Sequence, residues 1–189
     1  MATATITPDG SEIILRDAKP AFEWILGRAI RKMSPRGRHA VLQARVAKMI
    51  DRWANGRGRV GTEWHQRVAP PGEIRRPLVP DVAYASAERY AAVESDEHVD
   101  GQPTAAEIVV EVLSPGDRRE YLEHKRDVYL VCGAVLMIVI DPGRRSVETF
   151  DVDGGHAVAS GDAVVTSRLF PGLSIALTEL FEVLDPPSG

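Results

Sequence analysis

Two apolar runs separated by a helical segment constrain this chain more than any other feature. Ile108 to Leu113 (IVVEVL) is a β-branched run of the kind found in central strands covered on both faces, and Ala134 to Ile140 (AVLMIVI) is a second fully apolar strand. Between them, Arg118 to about Val131 has helical spacing, with Asp117 and Glu120 as a capping arrangement and Gly133 as its stop. Strand, helix and strand in that order predict a βαβ unit with two parallel strands and a right-handed crossover. The fold class is therefore α/β.

Further elements surround this unit. Phe22 to Met33 (FEWILGRAIRKM) reads as a hairpin ended by Ser34-Pro35. A helix follows, with Leu42, Val46, Met49, Ile50 and Trp53 on an apolar stripe that also takes in His39, and Asn55-Gly56 as its end. Arg59 to Ala69 and Leu78 to Ala85 read as strands, and Ala87 to Ala106 as a polar connection. Ser146 to Asp151 and His156 to Val165 are expected as edge strands around a Gly-Gly turn, and Leu177 to Leu184 as a closing helix. At 189 residues and 44% hydrophobic content, one domain spanning 1–189 is expected, with 1–18 and 185–189 as tails.

Three charges conflict with their predicted positions, and an ionised group costs several kcal/mol to bury unless it is paired or metal-bound. Glu111 interrupts IVVEVL on the face of Val109 and Leu113, and Asp81 lies within LVPDVAYA on the face of Val79 and Ala83. Lys125 stands three residues after Leu122 on the inward stripe that continues through Tyr129 and Cys132. Each alone has a bland explanation: Asp81 as a strand end, Glu111 as a buried ion pair, Lys125 snorkelling to water. Together they suit a centre in which a divalent metal and an ammonium offset two inward carboxylates. Such a group can hydrolyse a phosphodiester, the metal activating water and the lysine stabilising the transition state.

Charge distribution points the same way. The net charge is −4, yet Arg28 to Arg59 holds ten Lys or Arg and one acid, leaving 13 bases against 26 acids elsewhere. Arg38, Arg45, Lys48 and Arg52 fall on one arc of the first helix and are candidate contacts to a nucleic-acid backbone; a solvated helix face is the alternative. The other histidines, His65, His98, His124 and His156, lack zinc-ligand spacing, and no phosphate-loop motif occurs. A single cysteine, Cys132, excludes an intrachain disulfide and reads as core. The absence of a long apolar run and the polar start MATATITPDGSE predict a cytoplasmic protein without a membrane span.

The segments PDVAYAS (80–86), EIVVEVLSPGDRREYLEHKRDVYLVCGAVLMIVIDP (107–142) and FEWILGRAIRKMSP (22–35), with His39 after the last, resemble the Uma-type family of restriction-endonuclease-like proteins, part of the PD-(D/E)XK nuclease superfamily. The resemblance covers most of the chain. It implies a restriction-endonuclease-like mixed sheet with flanking helices and an N-terminal β-hairpin. It also implies that Asp81 and Glu111, with the main-chain carbonyl of Val112, hold Mg²⁺ or Mn²⁺. The lysine position usual in the superfamily holds Leu113 here, and Lys125 matches the displaced lysine of Uma-type members. Glu23 and His39 match positions near the family's site, whereas Leu26 stands at a hairpin position commonly polar in relatives. The expected function is a Mg²⁺-dependent DNA endonuclease with Asp81, Glu111 and Lys125 as its catalytic residues. The alternative is a nuclease-fold module that binds nucleic acid or protein without turnover. DNA is the expected partner, with a second copy of the chain, as a homodimer, a further candidate.

Overall fold

The computed structural model describes residues 4–32, 37–92 and 103–186. A first hairpin pairs β1 (Ala4–Ile6) with β2 (Ile13–Leu15), and a second pairs β3 (Phe22–Ile25) with β4 (Arg28–Arg31). Helix α1 (Gly37–Ala54) leads to β5 (Gly58–Thr62), a short pair of β6 (Gln66–Val68) and β7 (Arg76–Leu78), β8 (Val82–Ser86) and α2 (Ala87–Ala92). The central unit is β9 (Ile108–Val112), α3 (Arg119–Val131) and β10 (Leu136–Asp141). The chain ends with β11 (Ser146–Asp151), β12 (His156–Ser160), β13 (Val164–Thr166), β14 (Ser174–Ala176) and α4 (Leu177–Glu182).

Six strands form the main sheet in the order β12-β11-β10-β9-β8-β5. Only β9 and β10 run parallel, with α3 crossing between them, as the two apolar runs require; the other pairs are antiparallel. Alternation sorts the side chains by face. Val82, Tyr84, Ile108, Val110, Val112, Leu136, Ile138 and Ile140 pack with α1 and α4, whereas Ala83, Ala85, Val109, Met137 and Val139 pack with α3 and the second hairpin. Cover on both faces is why these strands read as unbroken apolar runs. Asp81 and Glu111 follow the odd-numbered set and fall on the α3 face.

Several expectations are corrected. The run 59–69 is not one strand: Glu63 takes a positive φ of 49°, so β5 joins the main sheet while β6 leaves it to pair with β7. The run 78–85 likewise divides at Pro80-Asp81 into β7 and β8. Strand β11 is internal, because β12 pairs along its outer side. Residues 4–15, expected within a tail, form the first hairpin, with Ile13 buried and Glu12 bridged to Arg75. At the other end Asp185 pairs with Arg145, and 187–189 lie outside the described residues. The connection 87–106 begins as α2, and its stretch 93–102 lies outside the described residues. Asp117 does not cap α3: its carboxylate accepts from the Ser114 N–H, and the N-cap residue is Arg118, without a side-chain bond. Cys132 is buried, and burial pushes its thiol up to about 11, which fits a core residue.

The second hairpin turns through Leu26 (φ 48°) and Gly27 (φ 73°), a two-residue loop in which both residues are left-handed. Glycine takes that conformation freely, but a leucine there costs about 1–2 kcal/mol. Leu26 is exposed and contributes little packing in return. Leu26→Asn is therefore expected to raise stability by about 0.5–1 kcal/mol, read as a higher urea midpoint at unchanged slope.

Candidate active site

The C-terminal end of β9 and the segment leading into β8 lie together at one end of the sheet, where open α/β sheets commonly take ligands. The backbone fixes their relation: the Asp81 N–H donates to the Val110 carbonyl at 3.0 Å, and the Val112 N–H donates to Asp81 Oδ2 at 2.6 Å. Here a cavity of about 230 Å³ is lined by Glu23, Lys32, His39, Asp81, Glu111, Val112 and Lys125 among others. Asp81, Glu111, Lys125, Glu23, His39 and Val112 therefore converge on one space.

Each group is held by a different element. Lys125, from the inner face of α3, bridges Glu23 Oε1 at 2.7 Å and Glu111 Oε1 at 2.5 Å, with its side chain only 7% exposed. Glu23, from β3, also accepts the Val79 N–H at 2.8 Å, which ties the hairpin to the approach to β8. The Tyr129 hydroxyl, one turn beyond Lys125, donates to Glu111 Oε1 at 3.3 Å. From the first turns of α1, His39 Nε2 lies 3.1 Å from Asp81 Oδ2, and the Gln43 amide donates to the Asp81 carbonyl at 2.9 Å.

Lys32 was not among the candidates. Following β4, it places Nζ 2.7 Å from Asp81 Oδ1 and 3.6 Å from Glu111 Oε2, and donates to the Val79 carbonyl at 2.6 Å. A lysine just past a strand end has no periodicity to betray an inward course. The one available signal was its place at the end of the hairpin that also carries Glu23.

The two carboxylates differ electrostatically. Burial would raise Asp81, but the Lys32 ammonium and the His39 hydrogen bond outweigh it and hold the carboxyl below its ordinary range. Burial raises Glu111 against the pull of Lys125 and Lys32, with Asp81 and Glu23 adding to the rise. Burial also opposes the charge on Lys32, yet Glu111, Asp81 and Glu23 prevail and raise its pKa. Asp81 is thus fixed as an anion, and Glu111 is the more readily protonated of the pair.

Among the described residues, no three His, Cys, Asp or Glu side chains form a ready metal-donor group. Asp81 and Glu111 offer two carboxylates beside the end of β9, Glu23 being held by Lys125 and the Val79 N–H. That set fits Mg²⁺, which commonly takes one or two carboxylates and keeps several waters. Asp81 Oδ1 supports the fit: it is buried and faces a cation, the Lys32 ammonium at 2.7 Å.

The basic arc of α1 is not drawn together at the cavity. Arg45 approaches Glu179 and Glu182 at 3.8 and 3.9 Å, and Arg52 binds Glu179 at 2.7 Å, so both are engaged with α4 on the other face of the sheet. Lys48 is exposed on the same arc. Arg38, beside His39, donates to the Pro142 carbonyl at 3.2 Å. Arg31 and Arg118 line the cavity itself, the latter 4.9 Å from the Tyr121 ring centre.

Removing one member of a buried ion pair costs about 3–5 kcal/mol, whereas removing both charges is often nearly neutral. Lys125→Met is accordingly expected to lose stability on that scale, and adding Glu111→Gln to recover roughly half or more of the loss. Urea unfolding of the two variants provides the comparison.

Comparison with known proteins agrees with this architecture. The chain is similar over 90% of its length to 94% of a "putative nuclease belonging to DUF820" from Anabaena variabilis, at a TM-score of 0.76 and 23% identity, a likeness of fold. No curated protein matches the chain. Among the described residues no helix is long and apolar enough to cross a membrane. The family model Uma2, described as "Putative restriction endonuclease", matches residues 11–178, and the chain belongs to that family.

Proposed function

We propose that this chain is a metal-dependent DNA endonuclease that hydrolyses phosphodiester bonds in the cavity at the end of β9. The carrying observation is that Asp81 and Glu111 both lie within 3.6 Å of one cation, Lys32 Nζ, while a second ammonium, Lys125, rests 2.5 Å from Glu111. Asp81, Glu111 and the Val112 carbonyl would hold Mg²⁺ or Mn²⁺. When bound, that ion polarises the phosphate and lowers the pKa of water.

The chain's own groups supply the rest. Val112 N–H and His39 engage Asp81 Oδ2, which leaves Oδ1 directed at a cation. Glu23 and Glu111 hold Lys125 in one place, so its charge can stabilise the developing negative charge without reorganising. Arg31 and Arg118, which line the cavity, and Arg38, next to His39 in sequence, are candidates for DNA backbone contacts; Lys48 is exposed on the same helix, while Arg45 and Arg52 are paired with acids of α4. Family membership supports a nucleic-acid substrate.

One observation favours a second reading. Lys32 already bridges both carboxylates, as suits a module that keeps the fold and binds nucleic acid or protein without turnover. Cleavage of supercoiled plasmid and of branched DNA in Mg²⁺ or Mn²⁺ distinguishes the two. The endonuclease reading expects metal-dependent nicking abolished by EDTA and reduced at least about 100-fold in Asp81→Asn and Lys125→Met. Nicking that survives in both variants, or none in the parent protein, rejects it.

A further inference from the structure

In the buried part of the cavity three carboxylates, Glu23, Asp81 and Glu111, face two ammoniums, Lys32 and Lys125, while Arg31, Asp117 and Arg118 line its exposed part. Lys125 belongs to Glu23 and Glu111. Lys32 is shared by Asp81 Oδ1 at 2.7 Å and Glu111 Oε2 at 3.6 Å, on the two acids that the proposed function gives to a divalent ion. Oδ2 of Asp81 is already engaged by Val112 and His39, and Oε1 of Glu111 by Lys125 and Tyr129. A cation entering between the two acids therefore meets the lone pairs that Lys32 holds.

We propose that the Lys32 ammonium is a resident counter-ion at the metal position, and that a divalent ion enters by displacing it. This inference rests on the endonuclease reading of the site. Charge favours the exchange: with all three ionised, the buried carboxylates exceed the two ammoniums by one negative charge, and a divalent ion in place of Lys32, which favours the ionised form of Glu111, balances these buried groups. Two charges of +1 and +2 cannot share the same pair of oxygens without strong repulsion. Lys32 also has somewhere to go. It follows β4 next to the exposed Arg31 with its side chain 10% exposed, and its four-carbon stem can carry the ammonium outward once it releases Asp81, Glu111 and the Val79 carbonyl.

Displacement predicts that Lys32 works against metal binding although it sits among the ligands. In Mn²⁺ titrations followed by electron paramagnetic resonance, Lys32→Met is expected to bind Mn²⁺ at least about tenfold more tightly than the parent, and Asp81→Asn to lose binding. A second measurement needs no variant. Acylation of the parent protein, mapped by mass spectrometry, should label Lys32 faster with Mg²⁺ than without, while Lys125 stays protected. Mn²⁺ bound by the parent and lost in Asp81→Asn, but unchanged or weakened in folded Lys32→Met, overturns the displacement and leaves the metal site standing. Lys32 labelling that is equal or slower with Mg²⁺, in a protein that binds Mn²⁺, overturns it likewise. No Mn²⁺ uptake by either the parent or Lys32→Met overturns the metal reading and this inference together.

Discussion

Burying three carboxylates in one cavity is the constraint around which the rest of this structure is arranged. Isolated, such groups would each cost several kcal/mol and would protonate or draw in water. Here two ammoniums lie among them: Lys125 on Glu23 and Glu111, Lys32 on Asp81 and Glu111. Five separate parts of the chain contribute to that balance. The hairpin brings Glu23 and Lys32, α1 brings His39, β9 brings Glu111, α3 brings Lys125, and Asp81 precedes β8. The apolar packing of both sheet faces gives these groups fixed origins, and the ion pairs then determine how the hairpin and α3 meet.

Much of the site could be read from polarity alone. Glu111 and Asp81 stand where the alternation of β9 and β8 calls for apolar side chains, and Lys125 stands on the inward stripe of α3. All three face the same side of the sheet as that reading required. Lys32 escaped because nothing in its neighbourhood is periodic: it follows a short strand whose exposed arginines make a further cation unremarkable. The neighbours of the basic arc of α1 were hidden for a related reason. Helical spacing identifies a face but not its neighbour, and Glu179 and Glu182 arrive on α4 from more than a hundred residues away.

The fold was legible where periodicity is long and less so where a turn breaks a short run. The parallel pair β9 and β10 followed from two apolar runs and a helix. The breaks at Glu63 and at Pro80-Asp81 did not, because alternation continues across them while the backbone changes partners. Asp117 shows the same ambiguity on a smaller scale: a residue suited to capping α3 instead closes the turn at Ser114.

The hairpin of β3 and β4 is a separate two-stranded sheet, joined to the main body by side chains and not by the six-stranded ladder. It nevertheless contributes one of the three acids and one of the two cations, within a contiguous stretch of eleven residues from Phe22 to Lys32. The electrical character of the cavity is thus partly modular. A short exchangeable segment could alter its charge, and with it the ion or anion it prefers, while β8, β9 and β10 remain untouched. The tolerance of a scaffold for new chemistry depends on this kind of separation, between the part that folds and the part that tunes.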